Sequence, residues 1–346
     1  MKKTKTIALA ALACACGGGT AATTDGGLDA QPQDANASDA SGDAGSDGSG
    51  PSAATETATT NATCASIAPF YWEIGDASGA IVSGSTGSGT IKQTTQLNVA
   101  SASKFWWGAY VVERFKSNLS QIDLPSMEMQ SGRTNFGDCT GSTTIDDCCA
   151  KAGLDAGTNC DIEQTDVGYF YYSGGHFEGY AQTLSLGPDD DTALAAAYNA
   201  LLGSELSFSF SQPQPAGGMT MAAADYAQFL RKILSGGLAI HDHLGENAVC
   251  TLPSACPQAH YSPPPLAWHY SYGHWVEDEP TTGDGAFSSP GKFGFYPWID
   301  ATKTYYGIVA REDLLPGDGT IQDAPYYKSV LCGRAIRTAF FTGVAQ

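Results

Sequence analysis

Ser101 and Lys104 are the residues best suited to chemistry. They open the run Ser101-Ala102-Ser103-Lys104-Phe105. Three residues apart on a helix, they share one face. A serine at a helix start meets the positive end of the helix dipole, which favours negative charge developing on its oxygen. A lysine partly stripped of water beside it can lose its proton near neutral pH and act as a base. The pattern by itself is common: a second S-x-x-K runs from Ser289 to Lys292. A serine that merely caps a helix, with a solvated lysine, produces the same letters.

Other residues offer less. His241-Asp242-His243 has metal-binding side chains but no third ligand nearby, and reads as a solvated loop. His176 follows a Gly pair and reads equally well as a pocket residue or as a packed one. No C-x-x-C pair occurs in the cysteine cluster 139–160, which argues against zinc. No G-x-S-x-G elbow, Walker loop or dinucleotide fingerprint is present. No cofactor and no metal are expected.

The elements that must position Ser101 can be read from periodicity. Residues 70–82 read as a β-hairpin with a turn at Gly75-Asp76 and Ser78-Gly79. Residues 101–117 carry apolar side chains at 105, 106, 109, 111, 112 and 115, which predicts a buried helix. Residues 193–202 and 222–234 read as helices, and Gly236-Gly237 stops the second. Residues 293–299 and 304–311 read as paired strands, and 324–341 as a closing helix. Strands at both ends with helices between predict an α+β fold. An antiparallel sheet flanked by helices would be built from both termini, with a helical and irregular lobe inserted between. Trp106, Trp107, Trp268, Trp275 and Trp298 are expected in the core.

The N-terminus reads as an address. Lys2, Lys3 and Lys5 precede the apolar run Ile7–Ala13, and small residues lead to Cys14 and Cys16. Residues 1–16 therefore read as a signal peptide with a lipoprotein-like character. Residues 17–62, nearly all Gly, Ala, Ser, Thr and Asp, read as a disordered linker. The folded domain is expected over 63–346. Eight further cysteines agree with export. Cys250 and Cys256 bracket a short loop. Cys139, Cys148, Cys149 and Cys160 are expected to pair among themselves, which leaves Cys64 for Cys332. The 346 residues carry 17 basic and 36 acidic side chains, a net charge of −19. Such a surface repels phosphate, so nucleic acid is not an expected partner. Membrane contact is expected only through an N-terminal lipid, and the chain is expected to be a monomer.

Six segments, taken in order, resemble the serine β-lactamase and penicillin-binding protein superfamily. They are most similar to its class C β-lactamase, D-alanyl-D-alanine carboxypeptidase and esterase branch. They are the hairpin, Val99–Phe105, Phe170–Phe177, Pro215–Tyr226, Tyr272-Gly273-His274-Trp275 and Ser289–Gly294. The resemblance spans about residues 65–340 and implies a β-lactamase/transpeptidase-like fold with a cleft at the start of the Ser101 helix. It implies Ser101 as the nucleophile, Lys104 as its base and Tyr172 as the proton relay, with Tyr171 the alternative one residue away. It implies an oxyanion hole from the N–H groups of Ser101 and Lys292, with Gly291 keeping the substrate edge clear. The substrate would be a small ester or amide, or a peptidoglycan-like molecule. Gly174 stands where the family has Asn, and Ser289 where it has Lys or His. Both departures weaken β-lactam and peptide-carboxylate recognition. They leave open ester hydrolysis, or a catalytically silent binding module of the cell envelope.

Overall fold

The computed structural model describes residues 48–315 and 318–346. The expected signal peptide lies outside these residues, as do positions 17–47 of the expected linker. An eight-stranded sheet forms the centre, with every neighbouring pair antiparallel. Its first strands are β1 (Tyr71–Asp76) and β2 (Gly79–Ser85). From β2 the order runs through β1 to Tyr305–Ala310, Tyr296–Ile299, Ala286–Ser288 and Trp275–Glu277, then to His269–Tyr270 and Val249–Cys250. β1 from the N-terminal side thus pairs with a strand from the C-terminal side, Tyr71 opposite Ala310 and Asp76 opposite Tyr305.

Alternation along Tyr305–Ala310 sends its side chains to two different helical layers. On one face, Tyr306 meets Arg231 of the Ala223–Leu234 helix, whose guanidinium donates to the tyrosine oxygen at 3.1 Å. On the other, Val309 and Tyr296 crowd Gly333 of the Pro325–Thr342 helix. A Cβ at Gly333 would sit 2.6 Å from the Tyr296 ring, so glycine is what lets this helix lie against the sheet. Arg337 of the same helix is buried. It donates to Glu277 at 2.8 Å, to Asp284 at 2.7 Å and to the Tyr296 oxygen at 3.1 Å.

The expected linker is corrected at its C-terminal end. Residues 49–60 form helix α1 (Ser49–Thr60), and Ala62–Ile67 form helix α2. α1 has no aromatic or large aliphatic residue, so its sequence looks unable to bury anything. Its Gly50, Ala53, Ala54, Thr57 and Ala58 are nevertheless buried. Small side chains permit close helix–helix approach, and α1 lies against the closing helix Pro325–Thr342. Residues 49–62 of the expected linker are therefore part of the packed structure. Cys64 of α2 is bonded to Cys332 of the closing helix. The other pairs are Cys139–Cys148, Cys149–Cys160 and Cys250–Cys256.

Helix α3 (Ser103–Phe115) runs through the core, and residues 103–113 are all buried. Trp106 stacks on Phe229 at 4.0 Å, and Tyr110 on Tyr198 at 4.8 Å. Gly108 and Gly273 let two backbones touch: a Cβ at Gly108 would lie 1.9 Å from the Tyr272 carbonyl oxygen. The Tyr272–Trp275 segment thereby packs directly on the first turns of α3. Among the described residues, no helix is long and apolar enough to cross a membrane.

The packing of α1 can be tested directly. A Cβ at Gly50 would meet the Phe340 carbonyl oxygen at 2.3 Å, against rigid backbone. Gly50→Val should lower unfolding stability by about 1–3 kcal/mol in urea titrations. Thr59→Ala, on the exposed side of the same helix, should change it by less than about 0.5 kcal/mol. Equal, negligible effects would mean that residues 49–60 do not dock.

Candidate active site

Ser101 sits in a single 3-10 turn, Ala100–Ala102, that feeds directly into α3. Ala100 has φ +46°, a left-handed conformation that costs a non-glycine residue about 1–2 kcal/mol. Bonds from three directions hold this turn. Ser103 Oγ donates to the Ala100 carbonyl at 2.7 Å and accepts from Met219 N–H at 3.2 Å. The Tyr226 hydroxyl donates to the Ala102 carbonyl at 2.8 Å. Ser289 Oγ donates to the Ser101 carbonyl at 2.9 Å. Ser101 itself is partly exposed.

Lys104 occupies the first turn of α3 and is 4% exposed. Its Nζ lies 3.0 Å from Ser101 Oγ and donates to the Ala216 carbonyl at 2.6 Å. It also lies 5.0 Å from the centre of the Tyr172 ring. Burial pulls the Lys104 pKa down to about 7, against a smaller upward pull from Glu178. A neutral amine facing a serine hydroxyl can accept its proton.

Tyr172 follows the short strand Phe170–Tyr171 and stacks on Trp275 at 5.2 Å. Burial raises its pKa well above the usual phenol value. The polar side-chain atoms of Ser101 and Trp275 nearby oppose that rise in part. The hydroxyl therefore keeps its proton at neutral pH and is suited to donate it. Tyr171 faces Tyr261 instead, with ring centres 5.1 Å apart, so the register places Tyr172 and not Tyr171 beside the serine. His176 is buried, and burial lowers its pKa to about 3. Its Nδ1 bonds with Ser131 Oγ at 2.7 Å and its Nε2 with the Tyr171 carbonyl at 3.0 Å. It braces the strand that carries Tyr172 and does not line the site.

Gly291 lies against the nucleophile turn, since a Cβ there would come within 2.1 Å of the Val99 carbonyl oxygen. The turn after it is closed by Gly291 N–H to Phe295 O at 2.7 Å and Gly294 N–H to Gly291 O at 2.8 Å. Neither bond uses the Lys292 N–H. The Lys292 side chain is exposed. Ser289 is 2% exposed, and its hydroxyl donates to the Ser101 carbonyl. Gly174 begins the Gly175–Thr183 helix, and a Cβ on it would lie 2.8 Å from the Phe136 ring. Phe136, from the irregular cysteine-rich segment 120–168, thus fills the space that a side chain at 174 would enter.

His241 and His243 pair with Asp242 and Glu246, and no metal-ligating group of three occurs among the described residues. Two participants escaped the sequence reading. Ala216 contributes only its backbone, which no side-chain pattern signals. Glu178 is fully buried and accepts from Ala216 N–H at 3.0 Å. An acid inside the otherwise aromatic and glycine-rich run 174–181 was the one available signal.

The burial of Lys104 has a consequence for stability. Its folded pKa, about 7, lies below the unfolded value of 10.5. Between these values the unfolded chain binds the proton that the folded chain lacks. Stability therefore rises with pH through this window, and the slope is lost below pH 7 as the folded amine also protonates. Urea unfolding at several pH values between 8 and 10 should show a steeper rise for wild type than for Lys104→Met. The difference should approach about 1.4 kcal/mol per pH unit. Parallel curves would place the amine in water.

No family model and no curated protein matches the chain. Solved structures do. A candidate β-lactamase from Bacteroides dorei aligns with a TM-score of 0.56 and 19% identity, over 79% of this chain and 93% of that one. FmtA from Staphylococcus aureus aligns at 0.53 and 15%, over 81% and 86%. A D-stereospecific amidohydrolase from Streptomyces sp. aligns at 0.53 and 12%, over 86% and 99%. With nearly the whole of each relative covered and an antiparallel sheet carrying helices on both faces, this chain has the fold of the serine β-lactamase and penicillin-binding protein superfamily.

Proposed function

We propose that the chain is an exported serine hydrolase that cleaves an ester or amide through an acyl-Ser101 intermediate. The observation that carries this reading is Lys104 Nζ at 3.0 Å from Ser101 Oγ, with the Tyr172 ring centre 5.0 Å from the same amine. Export is supported by the signal-like N-terminus and by the four disulfides.

In the first step neutral Lys104 takes the Ser101 proton as Oγ attacks the substrate carbonyl carbon. The negative charge that forms on the carbonyl oxygen falls to the N–H groups of Ser101 and Lys292. Collapse breaks the bond to the leaving group. Tyr172 donates its proton to that group and is reprotonated from the Lys104 ammonium. Water then attacks the acyl carbonyl, giving a proton to the Tyr172–Lys104 pair, and Ser101 leaves with a proton from the same pair. The phenol is the donor because its raised pKa keeps it protonated while the lysine is near its own midpoint.

An ester is favoured over a β-lactam or a peptide. Gly174 supplies no amide to an acyl side chain. Ser289 offers no cation to a substrate carboxylate, and its hydroxyl is already used.

A fluorophosphonate serine probe should label the protein, and labelling should fall by at least about 10³-fold in Ser101→Ala and in Lys104→Ala. Tyr172→Phe should fold normally and lose about 10²-fold or more in turnover of activated esters. A fluorescent penicillin should label weakly or not at all, and strong labelling would redirect the reading to peptidoglycan chemistry. Absence of labelling by both probes in a folded sample would assign the site to binding without turnover.

A further inference from the structure

Among the described residues, Glu178 is the acidic side chain whose charge acts on Lys104, and the mechanism above does not use it. It projects from the Gly175–Thr183 helix into the protein and is fully buried. Oε1 accepts from Ala216 N–H at 3.0 Å. The carbonyl of the same residue accepts from Lys104 Nζ at 2.6 Å. Oε2 is buried without a hydrogen-bond partner among the described residues. The hydroxyl of Tyr198, from the Asp191–Leu202 helix, is also buried and unpartnered, and it feels the Glu178 charge. A buried carboxylate with one oxygen left unmatched is costly, and a purely structural contact would need neither the charge nor the second oxygen.

We propose that Glu178 is a positioning residue for Lys104: it fixes the Ala216 backbone that cradles the amine, and its charge favours the protonated lysine. This role rests on the serine hydrolase reading.

The groups facing the pair are few. Lys104 meets Ser101, Tyr172 and the Ala216 carbonyl, and it feels the Glu178 charge. Glu178 meets Ala216 N–H, and its charge reaches Lys104 and Tyr198. Nearby His176 stays neutral and bonds away, to Ser131 and the Tyr171 carbonyl. Burial raises the Glu178 carboxyl to about 8 and lowers the Lys104 amine to about 7, while each charge favours the other. Removing either charge therefore disfavours the charged form of the other group.

Glu178→Gln keeps an acceptor for Ala216 N–H and removes the charge. Glu178→Asp keeps the charge and withdraws it from Ala216. The readout is NMR titration of lysine labelled with 13C at Cε, with the Lys104 signal assigned by its absence in Lys104→Met. In Glu178→Gln the Lys104 midpoint should fall by about one pH unit or more, since the Glu178 charge raises it in the wild type. In Glu178→Asp it should stay close to wild type while fluorophosphonate labelling slows by about tenfold. A midpoint unchanged in a folded Glu178→Gln, or moved equally by both variants, would overturn the proposal. The titration reads Lys104 whether or not the protein turns over substrate. A wild type that no probe labels would therefore overturn the hydrolase reading alone.

Discussion

A lysine amine held out of water beside a serine is the constraint on which the rest of the structure depends. Lys104 is nearly inaccessible, yet its contacts are a serine hydroxyl, one backbone carbonyl and the face of a tyrosine. No carboxylate forms a close ion pair with it. Full charge would be expensive there, and that expense makes the amine a base near neutral pH. The site is thus a local destabilisation that the remaining packing must offset. The left-handed Ala100 adds to it. Around these two costs lies extensive aromatic packing, where α3 meets the Ala223–Leu234 and Asp191–Leu202 helices.

The pieces around Lys104 come from distant parts of the chain, and glycines let them meet. Gly108 and Gly273 bring the Tyr272–Trp275 segment onto α3, and Gly291 brings the 289–292 segment onto Val99. Trp275 then supplies the surface on which Tyr172 lies. The cysteine-rich segment has few large apolar side chains to hold it, and two disulfides do so instead. Its contribution to the site is Phe136 at Gly174, and the Arg133 and Asn159 carbonyls packed on Gly175. Ser131 from the same region fixes His176, which fixes the Tyr171 carbonyl. The segment therefore shapes the wall of the site and the placement of Tyr172.

Much of this was legible from local pattern. The hairpin, α3, the Ala223–Leu234 helix, the two C-terminal strands and the closing helix lie close to where periodicity puts them. Each is long enough, and amphipathic or apolar enough, to announce itself. α1 was not legible, because its docking face is made of Gly, Ala and Thr, residue types shared with flexible linkers. Only the close approach of the closing helix gives that face something to bury against.

The sequence by itself determined the chemistry available: a serine and a lysine at helical spacing, a tyrosine after them, and a cysteine count suited to an oxidising compartment. Those follow from side-chain type and short-range spacing, which the chain carries with it into any fold. Tertiary structure decided the rest. It chose Tyr172 over Tyr171, since strand alternation and the Trp275 face admit only one of them. It turned Ser289 inward to a carbonyl. It buried Lys104 and Glu178 in the same dry region, 74 positions apart in the chain. Burial and long-range proximity set a proton's location, and neither is written in any local stretch of residues.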